Sequence, residues 1–422
     1  MDEKVMKSFL KTLSYALKGE AASLPDGNAP REAKILVADA VNHQVLPLIV
    51  DGLLLRTGWK PYEGNAAGLP GSLMNLYRDE ILRQAQKTAD FLLLYEYLTD
   101  RGLHPLVMKG IICRSLYPEP EHRASVDEDL LVDPADYLKY HEALLAYGMK
   151  LVNPDEDLEE ADEISYENRV SHLYIEVHKS LFRNDSEAYG VLNQCFEGAL
   201  VRGITQYIYG VKFNTLEHTD HLLYLILHAL KHFVHSGFGI RQVCDIVLFS
   251  EDNWDKVEWD RVRRHLTAAH ALGFTAAVFK IGVRYLVHEG YLGYVLRSWE
   301  LDEIDEAPLL FDIMEGGLYG ASSMTRLHSS NMTLHAMARR KSGTGGGLFH
   351  TIFLPLSAMR NRYSYLKQAP ILLPLAWTQR VFGYFSELQN GPDKNDNIVE
   401  SIKIGKERIK LLEFYHILDG AS

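Results

Sequence analysis

The stretch Ser125-Val126-Asp127-Glu128-Asp129-Leu130-Leu131-Val132 constrains this chain more than any other. Side chains on a strand alternate between faces, so two aspartates two residues apart point the same way and their carboxylates can grip the same cations. Leu130 to Val132 is a short apolar run suited to a buried strand, and Asp133-Pro134 reads as a helix N-cap with proline at the first helical position. The helix that follows is expected to turn Leu138, Leu144 and Leu145 inward and to stop at Gly148. Carboxylates paired on a rigid element have the geometry of a divalent-metal site for phosphoryl chemistry.

Upstream, His104 to Met108 is strand-like and ends at Lys109-Gly110, after which Ile111 to Tyr117 carries apolar residues at helical spacing. A glycine at such a turn lets a phosphate approach the backbone, and the amides opening a helix attract anions. Lys109 adds a positive charge there, and Arg123 supplies a planar fork for phosphate oxygens. Glu128 must be paired if it faces the inner side of the sheet, since an unpaired buried carboxylate is expensive. In Leu173-Tyr174-Ile175-Glu176-Val177-His178 the alternation puts Leu173, Ile175 and Val177 on one face and Tyr174, Glu176 and His178 on the other. Glu176 is thus the candidate third carboxylate beside Asp127 and Asp129, as a metal ligand or a proton acceptor. Hard carboxylate and phosphate oxygens suit Mg²⁺.

The order Lys109-Gly110, Leu116-Tyr117-Pro118, Arg123, Asp127 and Asp129 before an apolar strand, then Glu176-Val177-His178, resembles the uncharacterised nucleotidyltransferase family of the DNA polymerase beta-like superfamily. Asp220 to His232, Arg241 to Asp245, Arg362-Tyr363 and Leu372 to Trp377 resemble further segments of that family, so that the likeness covers most of residues 70 to 390. It implies an α+β chain in which a small mixed β-sheet nucleotidyltransferase core carries a helical N-terminal region and a larger helical C-terminal region. It also implies two divalent ions, Mg²⁺ with Mn²⁺ as the alternative, on Asp127, Asp129 and Glu176, and transfer of a nucleoside monophosphate from a nucleoside triphosphate. Lys109, Gly110 and Arg123 would hold the β- and γ-phosphates, and Lys231 and His232 would face the cleft and contact triphosphate or acceptor. Two departures stand out: Gly110 is followed by Ile111 where the superfamily usually has serine, and Glu128 sits where an apolar residue is common.

A chain of 422 residues suits about two or three domains. The expected division is a helical region over 1–70, the nucleotidyltransferase core over 71–190 and a mainly helical domain over 191–422. Within it, a long amphipathic helix from about Ser72 carries Ile81, Ala85, Thr88, Leu92, Tyr95 and Leu98 on one stripe and ends at Gly102. The net charge of −12 argues against bulk electrostatic attraction to nucleic acid or anionic membrane. Three cysteines without metal-ligand spacing, an N-terminus without a signal-peptide pattern and no apolar run long enough to span a bilayer together suggest a cytoplasmic protein.

Several features have plainer readings. The acidic run Asp155 to Asp162 reads as a solvated loop, and Gly343 to Gly347 as a flexible loop, because no lysine-serine or lysine-threonine pair follows it. His221, His228, Lys231, His232 and His235 fall near one helical stripe, open to three readings: core histidines, a zinc site, or a cleft-facing surface. Arg241 and Asp245 are spaced to pair on a helix face. The expected function is nucleotidyl transfer to a hydroxyl or phosphate acceptor (a sugar, small molecule, peptide or RNA) with pyrophosphate release. Alternatives are a catalytically inactive binding or assembly module and a histidine-centred metallohydrolase.

Overall fold

A computed structural model describes residues 3–20, 29–55, 71–186, 188–235, 237–287, 290–316, 365–379 and 398–419, with a few isolated positions between 333 and 363. Gly343 to Gly347 and Arg362 lie outside the described residues. The chain divides into two compact units, one of residues 1–233 with 237–321, the other of 234–236 with 322–422.

The sheet belongs to the first unit and joins the three strands whose patterns stand out in the sequence, at 106–108, 128–131 and 173–178, with four more. In chain order these are β1 (Leu106–Met108), β2 (Glu128–Leu131), β3 (Lys150–Leu151), β4 (Glu163–Asn168), β5 (Leu173–His178), β6 (Ile204–Ile208) and β7 (Val211–Thr215). They form one mixed sheet in the order β3-β4-β5-β2-β1-β7-β6. β1 and β2 are antiparallel, while β2 and β5 are parallel with Asp129 opposite Glu176 and Leu131 opposite His178. β4 runs antiparallel to β5, setting Ser165 opposite Glu176 and Glu163 opposite His178. One face therefore carries Asp129, Glu176, His178 and Glu163, and the other carries Leu130, Val177, Ile164 and Tyr166, all at most 1% exposed.

The helices are α1 (Glu3–Leu17), α2 (Ala29–Asn42), α3 (Leu46–Val50), α4 (Gly71–Thr99), α5 (Gly110–Arg114), α6 (Tyr137–Tyr147), α7 (Ala199–Arg202), α8 (His218–His235), α9 (Ile240–Asp252), α10 (Trp259–Ala268), α11 (Leu272–Ile281), α12 (Tyr291–Ser298) and α13 (Ala307–Gly316). α4 packs on β5 and β7, with Phe91 stacked on Phe213 at 5.8 Å and Tyr95 tilted against the same ring. The sequence stripe on α4 holds at Thr88, Tyr95 and Leu98, but Gln84, Phe91 and Leu94 complete the buried side. α1 packs on the residues just after α11, and the Ser14 hydroxyl donates to the Leu286 carbonyl.

Local punctuation behaves as its chemistry requires. Asp133 accepts from the Ala135 amide at 2.9 Å and caps a 3-10 turn from Pro134 to Asp136 that leads into α6. α6 ends on Gly148 in the left-handed conformation at φ 107°. Leu144 is buried, but Leu138 and Leu145 are 55% and 45% exposed, which corrects the expectation that all three point inward. The core stripe of α6 runs instead through Tyr137, Tyr140 and Leu144, and the Tyr137 hydroxyl meets Tyr166 of β4. The acidic run from Asp155 is a set of mostly exposed turns, with the Asp162 carboxylate accepting from the Asn184 amide.

In the second unit Met359, Leu366 and Ala376 form a small apolar cluster, and a helix runs from Ile398 to Phe414. The three cysteines are free and buried, as their spacing suggests. No described helix is long and apolar enough to cross a membrane.

Candidate metal centre

Three strands and one helix bring the polar residues together. β2 contributes Asp129 and, just before its first residue, Asp127; β5 contributes Glu176 and His178; β4 contributes Glu163. His178 Nε2 lies 2.9 Å from Asp129 Oδ1 and 3.7 Å from Glu176 Oε2, and His178 Nδ1 lies 3.7 Å from Glu163 Oε2. Among the described residues, Asp129, Glu176 and His178 each offer one ligand atom within 4.8 Å of the others. Asp129 and His178 are buried, Glu176 is 22% exposed and Asp127 half-buried, so the cluster opens toward the start of β2.

The charges are unequally matched. Burial works against ionised Asp129, but Lys109 and then His178 overcome it and hold its carboxyl well below the usual range. Glu176 goes the other way: burial first, then Asp129, Asp127 and Glu163, push it up to about 9. Like charges crowded about one buried carboxyl favour its protonated form. Two carboxylates and an imidazole at this spacing fit a divalent ion.

Lys109 directly follows β1 and has a positive φ of 47°. Its ammonium is 2.8 Å from Asp129 Oδ2 and 3.2 Å from His228 Nε2. Burial opposes the charge, but Asp129 outweighs it and keeps Lys109 protonated. The same burial, with Lys109 alongside, holds His228 neutral. His221 fixes the turn: its Nε2 accepts from the Lys109 amide, so its Nδ1 carries the proton and faces the Thr215 hydroxyl, which donates to the Val107 carbonyl. This explains a histidine that burial brings down to about 3.

The residues expected to cradle phosphate are placed differently. Ile111 donates its amide to Glu128 Oε2 at 2.8 Å, and Lys109 donates its amide to His221, so these two amides of the Gly110 turn are already used. Gly110 is required for another reason. At φ +28° it lies under the Glu128 carboxylate, and a Cβ there would overlap it. Glu128 is paired, as its burial demands: Arg114 Nη2 meets Oε1 at 2.5 Å, with Arg114 fully buried. Arg123 does not offer its fork to a ligand either. Its Nε and Nη2 donate to Asp245 Oδ1 and Oδ2 at 2.8 and 2.7 Å, at 2% exposure.

Asp245 also accepts from the Tyr117 hydroxyl at 2.8 Å, and Arg241, the partner expected four residues away, forms a longer ion pair with it at 3.8 Å. Of the helical stripe, His221 and His228 join the cluster through Lys109, and His232 meets His228 at 3.2 Å between ring nitrogens. No third ligand completes a metal group on that stripe among the described residues. Lys231, half-buried, acts on this network by helping to hold His228 neutral. His178 is the residue that sequence reasoning undervalued. Its signal was present, since it shares Glu176's face two residues on.

A family described as "Uncharacterised nucleotidyltransferase" matches residues 30–285, which contain every residue of this cluster. No curated protein and no solved structure matches the chain.

Proposed function

The chain belongs to the uncharacterised nucleotidyltransferase family, and from this premise we propose that it moves a nucleoside monophosphate from a nucleoside triphosphate to a hydroxyl or phosphate acceptor. An acceptor oxygen forms a bond to the α-phosphorus, the bond from that phosphorus to the β-phosphate bridging oxygen breaks, and pyrophosphate leaves. The observation that carries this reading is the cross-strand pairing of Asp129 with Glu176, with His178 on the same face.

Asp129, Glu176 and His178, with Asp127 at the opening, would hold the divalent metal. When bound, it neutralises phosphate charge and acidifies an oxygen nucleophile. Mg²⁺ suits the carboxylates, and the imidazole of His178 adds a donor that suits Mn²⁺ at least as well. Lys109 orients Asp129 from the interior side. Glu176, the more exposed carboxyl, is placed to take the proton of the acceptor hydroxyl.

Replacing Asp129 with Asn, or Glu176 with Gln, should abolish metal-dependent pyrophosphate release from a panel of α-labelled triphosphates incubated with a metabolite and macromolecule extract. Full turnover by either variant, with the far-UV spectrum unchanged, would sink the assignment. One observation favours a catalytically silent binding module instead: the Lys109 ammonium already neutralises Asp129 at 2.8 Å, as a metal would. Unfolding temperatures that do not respond to any triphosphate with Mg²⁺ or Mn²⁺ would support that second reading.

A further inference from the structure

We infer that Arg241, in the first turn of α9, receives the polyphosphate tail of the triphosphate, a role that rests on the transferase reading above. The anion needs a cation that the protein has not already spent. Lys109 is committed to Asp129, Arg114 to Glu128 and Arg123 to Asp245. Arg241 differs from all three. Both Asp245 oxygens are occupied by Arg123 and Tyr117, and Arg241 Nη1 remains 3.8 Å from Oδ2, beyond hydrogen-bond distance. Buried nitrogens of Arg114, Arg123 and Arg241 alike lack hydrogen-bond partners, but of these three arginines only Arg241 makes no hydrogen bond to a carboxylate.

Two guanidiniums thus share one carboxylate, leaving a surplus positive charge in a site where Arg241 is 11% exposed and Asp245 5%. Removing such a charge from water is costly unless an anion compensates it. Burial and then Arg123 act against the Arg241 charge, while Asp245 and, more weakly, Asp127 favour it. Asp245, the ion-pair partner of Arg241, also holds Arg123, four residues before Asp127 in the chain, which ties Arg241 to the segment that enters the metal cluster. α9 is thirteen residues long, and the positive end of its dipole lies beside the guanidinium. The planar fork matches two phosphate oxygens in a way an ammonium does not.

The test uses the full chain and inorganic triphosphate with Mn²⁺, which removes any dependence on the base. Arg241→Gln should weaken triphosphate binding on the order of 10- to 100-fold by calorimetry, as loss of charge-assisted hydrogen bonds predicts. Arg241→Lys, which keeps the charge and loses the fork, should fall between, and both should bind Mn²⁺ alone as the wild type does. The Lys variant serves where the Gln variant does not fold. Unchanged triphosphate affinity in either folded variant overturns the role, as does a loss confined to phenyl phosphate, which would assign Arg241 to the acceptor. A wild-type chain that binds Mn²⁺ but no triphosphate overturns the transferase reading itself, and this role with it.

Discussion

Gly110→Ala separates two explanations of the same glycine. If Gly110 exists to let a phosphate approach, alanine weakens triphosphate binding and leaves the ligand-free protein alone. The structure predicts the opposite. A Cβ at position 110 would strike the Glu128 carboxylate, the far end of a side chain pinned by Arg114 and by the Ile111 amide. Displacing it strands a guanidinium at 0% side-chain exposure, and breaking a buried pair in this way costs about 3–5 kcal/mol. Left-handed backbone at φ +28° adds about 1–2 kcal/mol for a residue with a Cβ. The sum is comparable with the whole stability of a typical domain, about 5–15 kcal/mol. In ligand-free urea unfolding the midpoint should fall by about 1–2 M, given a denaturant slope of about 3 kcal/mol/M or more for a unit of this size. Glu128→Gln, which keeps Gly110 and the shape of the side chain but not its charge, should lose a substantial part of the same stability. An unchanged ligand-free midpoint for Gly110→Ala would refute the reasoning and return the glycine to the phosphate.

Two further outcomes test the site and its surroundings. His178→Gln should weaken Mn²⁺ binding on the order of 10- to 100-fold and remove the imidazole nitrogen coupling from the Mn²⁺ spin-echo spectrum, whereas a wild-type spectrum without that coupling would exclude His178 as a ligand. Burial lowers His43 to about 4 and His221 to about 3, from 6.5 when unfolded, so the unfolded chain binds more protons below pH 6.5 and stability is lost as the pH is lowered. Between pH 7 and pH 5 each should remove about 2 kcal/mol, read as a falling urea midpoint, and His43→Gln should flatten that slope.

Three of the seven strands, β1, β2 and β5, were legible because strand chemistry is local, while β3, β4, β6 and β7 were not read. Period-two alternation identified the two faces of β5, and the apolar run after Asp129 identified β2, since burial on one face selects side chains two residues apart. The cap at Asp133 and the stop at Gly148 were equally readable, as each satisfies backbone groups within a few residues. α6 was misjudged at Leu138 and Leu145 because helical spacing admits more than one apolar stripe, and only the position of β4 beneath the helix selects Tyr137, Tyr140 and Leu144.

What the amino-acid sequence determined by itself was the inventory: an acidic strand, a second strand with its polar face at Glu176 and His178, a lysine-glycine turn and the likeness to a transferase family. What it left open was which charge meets which. Arg123 is 122 residues from Asp245, and Lys109 is 112 residues from His221. Ion pairing depends on distance in space and on burial, and neither can be read from spacing once the partners lie on different elements. Only the folded sheet, by pairing β2 with β5 and seating α8 and α9 beside them, decided that Arg123 is spent on Asp245, that Glu128 claims the helix opening, and that Arg241 keeps a charge to spare.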